Sequence, residues 1–188
     1  MTTPAAPAPD ARERLAATAS ELFYREGIHS VGVDRILSEA GMSRATMYRH
    51  FAGKEELVVA YLEREDRAIR AQVAGAGGSP DPLRAAVHGI AEDVARRHTR
   101  GCPFINAAAE YPDESSAVRR LIATHRAWFR GVLTQAAAGA GATDPERVAA
   151  SLVMLRDAAL VGGYLDGAAS IREAFLDSAS AVAGVDLA

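Results

Sequence analysis

The chain has a single cysteine, Cys102, so no internal disulfide framework can staple it, although counting leaves a bridge between subunits open. It has no run of about twenty uninterrupted apolar residues, and no basic start leads into an apolar stretch. Neither a membrane span nor a signal peptide is indicated, and the expected place of action is the cytoplasm. One thiol with scattered histidines does not give the three or four suitably spaced ligands of a metal centre, so no metal or cofactor is expected. Residues 1–9, rich in Ala, Pro and Thr, lack apolar periodicity and positive charge. They read as a disordered tail rather than an arm for a minor groove.

What is present suffices for a real core: 188 residues, 49% of them hydrophobic, with a net charge of −3. That supports one medium domain, or a small one joined to a larger one. The organising stretch is Gly41-Met42-Ser43-Arg44-Ala45-Thr46-Met47-Tyr48-Arg49-His50-Phe51. Gly41 permits a tight turn, Ser43 is a good N-cap, and Met47 and Phe51 at i, i+4 point into a small core. Arg44, Ala45, Thr46, Tyr48, Arg49 and His50 are left to face outward or flank. Such a set suits a DNA groove: arginine reads guanine bidentately, the Ala45 and Thr46 methyls match a thymine methyl, and Tyr48 and His50 hold phosphates. Just before it, residues 33–40 read as one short helix with Val33, Ile36 and Leu37 inward, broken by Gly41. From Ala40 to Lys54 the charges are Arg44, Arg49 and Lys54 against no acidic residue, a local +3 in a negative chain. The plain alternative is a solvated basic helix end.

Ahead of this pair, Asp10 is placed to cap a first helix in which Leu15, Ala19, Leu22 and Phe23 form an inward stripe that Gly27 ends. Arg12 and Arg14 can approach phosphates, but a solvated helix end is the simpler reading. Leu22-Phe23, Gly27, Val33-Asp34-Arg35-Ile36, Ala40-Gly41-Met42-Ser43, Thr46-Met47-Tyr48, His50-Phe51 and Lys54-Glu55-Glu56-Leu57 stand at the spacing that resembles the DNA-binding domain of the TetR family of transcriptional repressors. The resemblance covers residues 11–58. It implies an all-α homodimer that binds a pseudo-palindromic operator and releases it when a small-molecule effector fills a pocket in the C-terminal domain. Carried over by position, Arg44, Ala45, Thr46 and Arg49 would meet base edges, and Ser43, Tyr48, His50 and Lys54 would meet phosphates. Gly32 departs from the pattern, because the family usually has Thr or Ser there to cap the second helix and touch a phosphate; Ser30 or His29 are the available substitutes.

The expected domains are a tail at 1–9, a three-helix helix-turn-helix domain at 10–53, and a helical ligand-binding and dimerisation domain at 54–188. A long helix starts at Lys54, with Leu57, Val58, Tyr61, Leu62, Ile69 and Val73 on one side and pairs such as Asp66 with Arg70 elsewhere. A Gly/Pro-rich linker at 74–82 ends it, and a helix with Leu83, Val87, Ile90 and Val94 in register follows. Pro103 and Pro112 then bound a short helix carrying Asn106 and Glu110 on one face. These two either meet a ligand or are solvated and paired with arginines. The Gly101-Cys102 pair also resembles a signature found near the pocket in some branches of the family.

Residues 118–138 give the clearest amphipathic helix, with His125 the odd member of its apolar stripe. A lone histidine there is more often satisfied in the core than used as a ligand. With Trp128 and Phe129 beside it, and Phe104, Tyr111, Met154 and Tyr164 from other segments, it is nonetheless a candidate for a pocket with one polar anchor. Asp144-Pro145 starts a helix that is apolar on nearly all sides and therefore expected to be buried on nearly all sides. With the last helix it forms the candidate dimer interface: Leu152, Leu155, Val161, Leu165, Ile171, Phe175 and Val182.

Two other classes compete. A ligand-independent DNA-binding regulator or activator shares every feature of the reading helix. A small helical enzyme would have to rest on His98 with Cys102 or on His125 with Glu110, and nothing in the sequence places a base against the thiol. The expectation is a regulator and not an enzyme.

Overall fold

A computed structural model describes residues 10–76 and 78–187. The expected tail at 1–9 lies outside the described residues. Those residues hold nine α-helices and no strand, and they form two compact units, the first ending at Arg64 and the second beginning at Glu65.

In the first unit, α1 (Ala11–Glu26), α2 (Val33–Ala40) and α3 (Arg44–Tyr48) meet the opening turns of α4 (Lys54–Gly75). Asp10 caps α1 by accepting from the Glu13 N–H at 2.8 Å. The stripe Leu15, Ala19, Leu22 and Phe23 is buried, as are Ile36, Leu37, Met47 and Phe51. Burying each of the larger side chains contributes about 1.5–3 kcal/mol, which makes so small a unit foldable. Leu57, Val58, Tyr61 and Leu62 are buried too, and the Phe23 and Tyr61 rings lie 6.1 Å apart. These contacts carry the compact unit to Arg64, past the expected limit at 53.

Gly41 adopts the left-handed conformation at φ +64°, and its N–H together with that of Met42 closes the carbonyls of α2. That turn aims α3 away from α2. Two expectations change here. The reading helix is five residues long, and Arg49 and His50 lie in the turn after it. Arg12 and Arg14 are not merely solvated: the Arg12 guanidinium sits 5.1 Å from the Phe51 ring centroid, and Arg14 donates to the Ala40 carbonyl at the end of α2.

The second unit holds the rest of α4 with α5 (Pro82–Arg96), α6 (Pro103–Glu110), α7 (Ala117–Gly139), α8 (Pro145–Gly162) and α9 (Ala168–Ala183). Asp81, Ser116 and Asp144 cap α5, α7 and α8, each accepting from the N–H three residues on, and proline opens α5, α6 and α8. A cap of this kind is worth about 1 kcal/mol. Between α8 and α9 the chain makes a π-helical turn at Gly163–Gly167 that the sequence did not announce. A Cβ on Gly163 would fall 2.7 Å from a Val94 methyl, so glycine lets the π turn approach α5 this closely.

α8 is not buried on nearly all sides. Leu152 and Leu160 are in the core, whereas Met154 is 71% exposed, as is Leu165 of the π turn at 70%. The helical run Pro145–Ala183 is long and apolar enough to match a membrane span by length and composition. Its apolar side chains divide between the unit's own core and an uncovered face.

Candidate functional site

Two places carry chemistry. In the first unit, Ser43 caps α3 by accepting from the Thr46 N–H at 3.1 Å, which fixes where the reading helix begins. Met47 is fully buried and anchors the helix from below. Arg44, Ala45, Tyr48, Arg49 and His50 are thereby exposed together, with Thr46 half-buried beside them. Arg44 rests against Asp34 of α2, its Nη2 at 2.6 and 2.7 Å from the two carboxylate oxygens. Both groups are exposed, so the pair is weak and can exchange for a base edge. Arg49 reaches the Thr46 hydroxyl at 3.4 Å, and Lys54 Nζ lies 3.5 Å from the His29 carbonyl. Gly32 at the start of α2 supplies no side-chain cap.

In the second unit a cavity of about 380 Å³ is walled by α4 (Ile69, Gln72, Val73), α5 (Ala85, Ala86, Gly89, Ile90, Asp93), α7 (Phe129, Val132, Gln135, Ala136) and Arg156 of α8. Its size falls in the range of small-molecule sites, and its wall is mostly apolar with a few polar points. Arg156 is only 5% exposed. Its Nη1 lies 3.3 Å from Asp157 Oδ1 and 3.7 Å from Cys102 Sγ, and its guanidinium stands 5.1 Å from the Phe129 ring centroid. Asp93 is 9% exposed; its Oδ2 is 2.7 Å from His98 Nδ1, and its Oδ1 is buried with no hydrogen-bond partner.

Beside this cavity two consecutive carboxylates of α4 each engage a buried histidine. Glu65 Oε2 is 3.3 Å from His98 Nε2, and Asp66 Oδ1 is 2.7 Å from His125 Nδ1. Burial disfavours charge on His98, but the hydrogen bonds from Asp93 and Glu65 outweigh it and hold its pKa above the ordinary value. A ring held between two acceptors is suited to its doubly protonated form. His125 goes the other way, because burial and the nearby Arg156 and Arg70 charges outweigh Asp66 and push its pKa down. Asp66 is itself kept low: burial acts to raise it, and Arg70 and His125 overcome that.

Of the nine pocket candidates, Phe129 alone lines this cavity. Phe104 and His125 stack on each other at 3.8 Å between ring centroids, and His125 is 2% exposed, so both serve the core. Trp128 is half-buried under the Arg70 guanidinium at 4.1 Å. Asn106 donates to the Arg100 carbonyl, and Asn106, Glu110 and Tyr111 are absent from the wall. Met154 and Tyr164 are exposed. Of the interface candidates, Leu152 and Phe175 are already buried within the chain's own core, while Val161 and Leu165 are exposed and Leu155, Ile171 and Val182 half-buried. The histidines of the enzyme alternatives are engaged by carboxylates that those alternatives did not name, His98 by Asp93 and Glu65, and His125 by Asp66.

Sequence reasoning missed Asp93 and Arg156. The signal was there: Asp93 lies three residues after Ile90, and Arg156 four after Leu152, each in register with an inward stripe.

Comparisons with known proteins find matches to both parts of the chain. A family model described as bacterial regulatory proteins, tetR family, matches residues 15–61, and one described as tetracyclin repressor-like, C-terminal domain, matches residues 79–178. A TetR-family transcriptional regulator from Streptomyces coelicolor has a similar crystal structure, with a TM-score of 0.87 and 46% identity, covering 93% of this chain and 94% of that one. The HTH-type transcriptional activator FasR of Mycolicibacterium smegmatis is 41% identical over 58 residues, which are 31% of this chain and 26% of FasR. LmrA of Bacillus subtilis, an HTH-type transcriptional regulator, is 32% identical over 66 residues, 35% of either chain. The chain thus spans only about a quarter to a third of the length of these curated relatives.

Proposed function

Since the chain belongs to the tetR family of bacterial regulatory proteins, with a helix-turn-helix for binding DNA, we propose that it works as a homodimeric, effector-responsive repressor of a pseudo-palindromic operator. The observation that carries the dimer is the uncovered apolar face of α8 and the π turn, where Met154, Val161, Tyr164 and Leu165 stand exposed. Such a face on an otherwise well-buried bundle is stabilised by a second copy. Two-fold symmetry then presents two α3 helices to successive major grooves, about 34–36 Å or a multiple of it apart. Arg44, Ala45, Thr46 and Arg49 read base edges; Ser43, Tyr48, His50 and Lys54 hold the backbone.

The proposed effector site is the cavity of the second unit. α4 runs unbroken from Lys54 to Gly75, and its Ile69, Gln72 and Val73 form part of the cavity wall. A molecule entering the cavity shifts α4 to the extent that it binds one arrangement more tightly than the other. The relative FasR is a transcriptional activator, and this supports a second reading in which the same dimer recruits rather than blocks transcription. A reporter with the operator overlapping or upstream of the promoter separates the two.

Sedimentation velocity tests the dimer. The wild-type chain should sediment as a dimer, and Leu165→Glu should sediment as a monomer that binds a palindrome far more weakly. A monomeric wild type at micromolar concentration would remove the basis of two-fold operator recognition.

A further inference from the structure

Resting on the reading of the cavity as the effector site, we infer that its ligand is a neutral molecule with an apolar body and one hydrogen-bond donor, an O–H or N–H, that meets Asp93 Oδ1. The argument starts from which polar atoms of the wall are already engaged. Arg156 is held by Asp157, the Cys102 sulfur and the Phe129 face. Gln72 gives its carbonyl oxygen to Arg97 at 3.0 Å. Asp93 uses Oδ2 on His98, while Oδ1, with Arg97 Nε no nearer than 3.9 Å, is buried without a hydrogen bond. An acceptor in that state lacks the donor that nearly every buried carboxylate oxygen has. A ligand donor satisfies it, and a hydrogen bond to a charged acceptor is among the stronger ones.

Charge decides the rest. Asp157 is shared by Arg126 at 2.8 Å and Arg156 at 3.3 Å, Asp93 and Glu65 both face His98, and Arg97 Nε lies 3.9 Å from Asp93 Oδ1. Among the described residues the one guanidinium of the wall, Arg156, is already engaged by Asp157, and bringing an anion toward Asp93 adds repulsion to desolvation. A ligand cation would meet Arg97 and Arg156 as like charges. Of the remaining wall, Ile69, Val73, Ala85, Ala86, Ile90 and Val132 offer apolar surface, and the Gln135 amide stands exposed to solvent. At about 380 Å³ the space equals on the order of a dozen water volumes, which suits a fused bicyclic skeleton.

Calorimetric titration of the full chain at pH 7 with three probes of one shape tests this: 2-naphthol with a donor, 2-methoxynaphthalene without one, and 2-naphthoate as the anion. The expected result is that 2-naphthol binds at least tenfold more tightly than either of the others. Asp93→Asn turns a free acceptor into an amide donor and should abolish or reverse the advantage over the ether. Ala86→Phe, which fills the cavity, should abolish binding of all three. If the ether binds as well as the naphthol, or the naphthoate binds best, the donor inference is overturned while the cavity remains the effector site. If no probe binds, or if binding survives Ala86→Phe, the effector reading of the cavity falls and takes the inference with it. The ranking on the wild-type chain decides the matter even where Asp93→Asn fails to fold.

Discussion

In the DNA-binding unit the residues assigned to function, Arg44, Ala45, Thr46, Tyr48, Arg49 and His50, are nearly consecutive and project from one short helix and the turn that follows it. In the body the polar wall of the cavity is assembled from Gln72, Asp93, Gln135 and Arg156 on four different helices, among alanines, a glycine and branched aliphatics. The first arrangement is local and set by a cap, a turn and one anchor. The second exists only after the bundle has packed. A function built on one helix tolerates changes elsewhere in the bundle; one built between helices depends on all of them.

The sharpest way to break this contrast is to unseat the anchor of the smaller unit. Phe51→Ala leaves a cavity under α3 and removes the ring beneath Arg12. It should cost the first unit about 3–5 kcal/mol and abolish DNA binding. Calorimetry should show the loss in one part of the unfolding profile while the cavity still binds its probe. Simultaneous loss of probe binding would mean that the two units do not behave as separate cooperative structures.

Smaller effects sharpen the division within the reading helix. Arg44→Ala should weaken binding to the cognate site by about 1–3 kcal/mol and relax base preference at one position, as seen by competition with single-base variants. Ser43→Ala removes the Thr46 cap bond and should lower stability by about 1 kcal/mol in urea titration, with a further loss of affinity on all sequences. Lys54→Ala should weaken specific and random DNA about equally and reduce the salt slope by about one. Identical losses for Arg44 and Lys54 on both kinds of DNA would mean their roles are wrongly divided.

The least disruptive test belongs to the body and uses pH. His98 has a raised folded-state pKa, so its stabilising contribution is full below its unfolded value of about 6.5 and is lost as pH rises through the higher folded value. His125 has a lowered one, so its contribution is present above about 6.5 and is lost as pH falls through the lower folded value. His98→Gln should therefore flatten the decline on the alkaline side of a stability profile, and His125→Gln the decline on the acid side, read by denaturant titration between pH 5 and 8.

How much of this could be read from the chain follows the same contrast. Asp10, Gly41, Ser43, Met47 and Pro145 each act within a few residues, and the helix starts and turns they imply all appear in the structure. The aromatic cluster was found but its role was not: Phe104 and His125 face each other, so the ring stack fills the core instead of opening a pocket. Whether Leu152 or Met154 faces outward depends on how α8 packs against α7 and α9, and an all-round apolar pattern carries no such information. The π turn at Gly163–Gly167 and the buried Asp93 and Arg156 arise from packing between distant segments, and residue type alone does not announce them.

The most direct test of the central claim is selection of bound duplexes from a random DNA pool by the purified full chain, at one stated, near-physiological salt concentration. The account predicts a recovered pseudo-palindrome whose half-sites lie one helical turn or a multiple of it apart, with enrichment lost in Arg44→Ala and Leu165→Glu. Recovery of no sequence above random DNA, or of a single unpaired half-site, would contradict it.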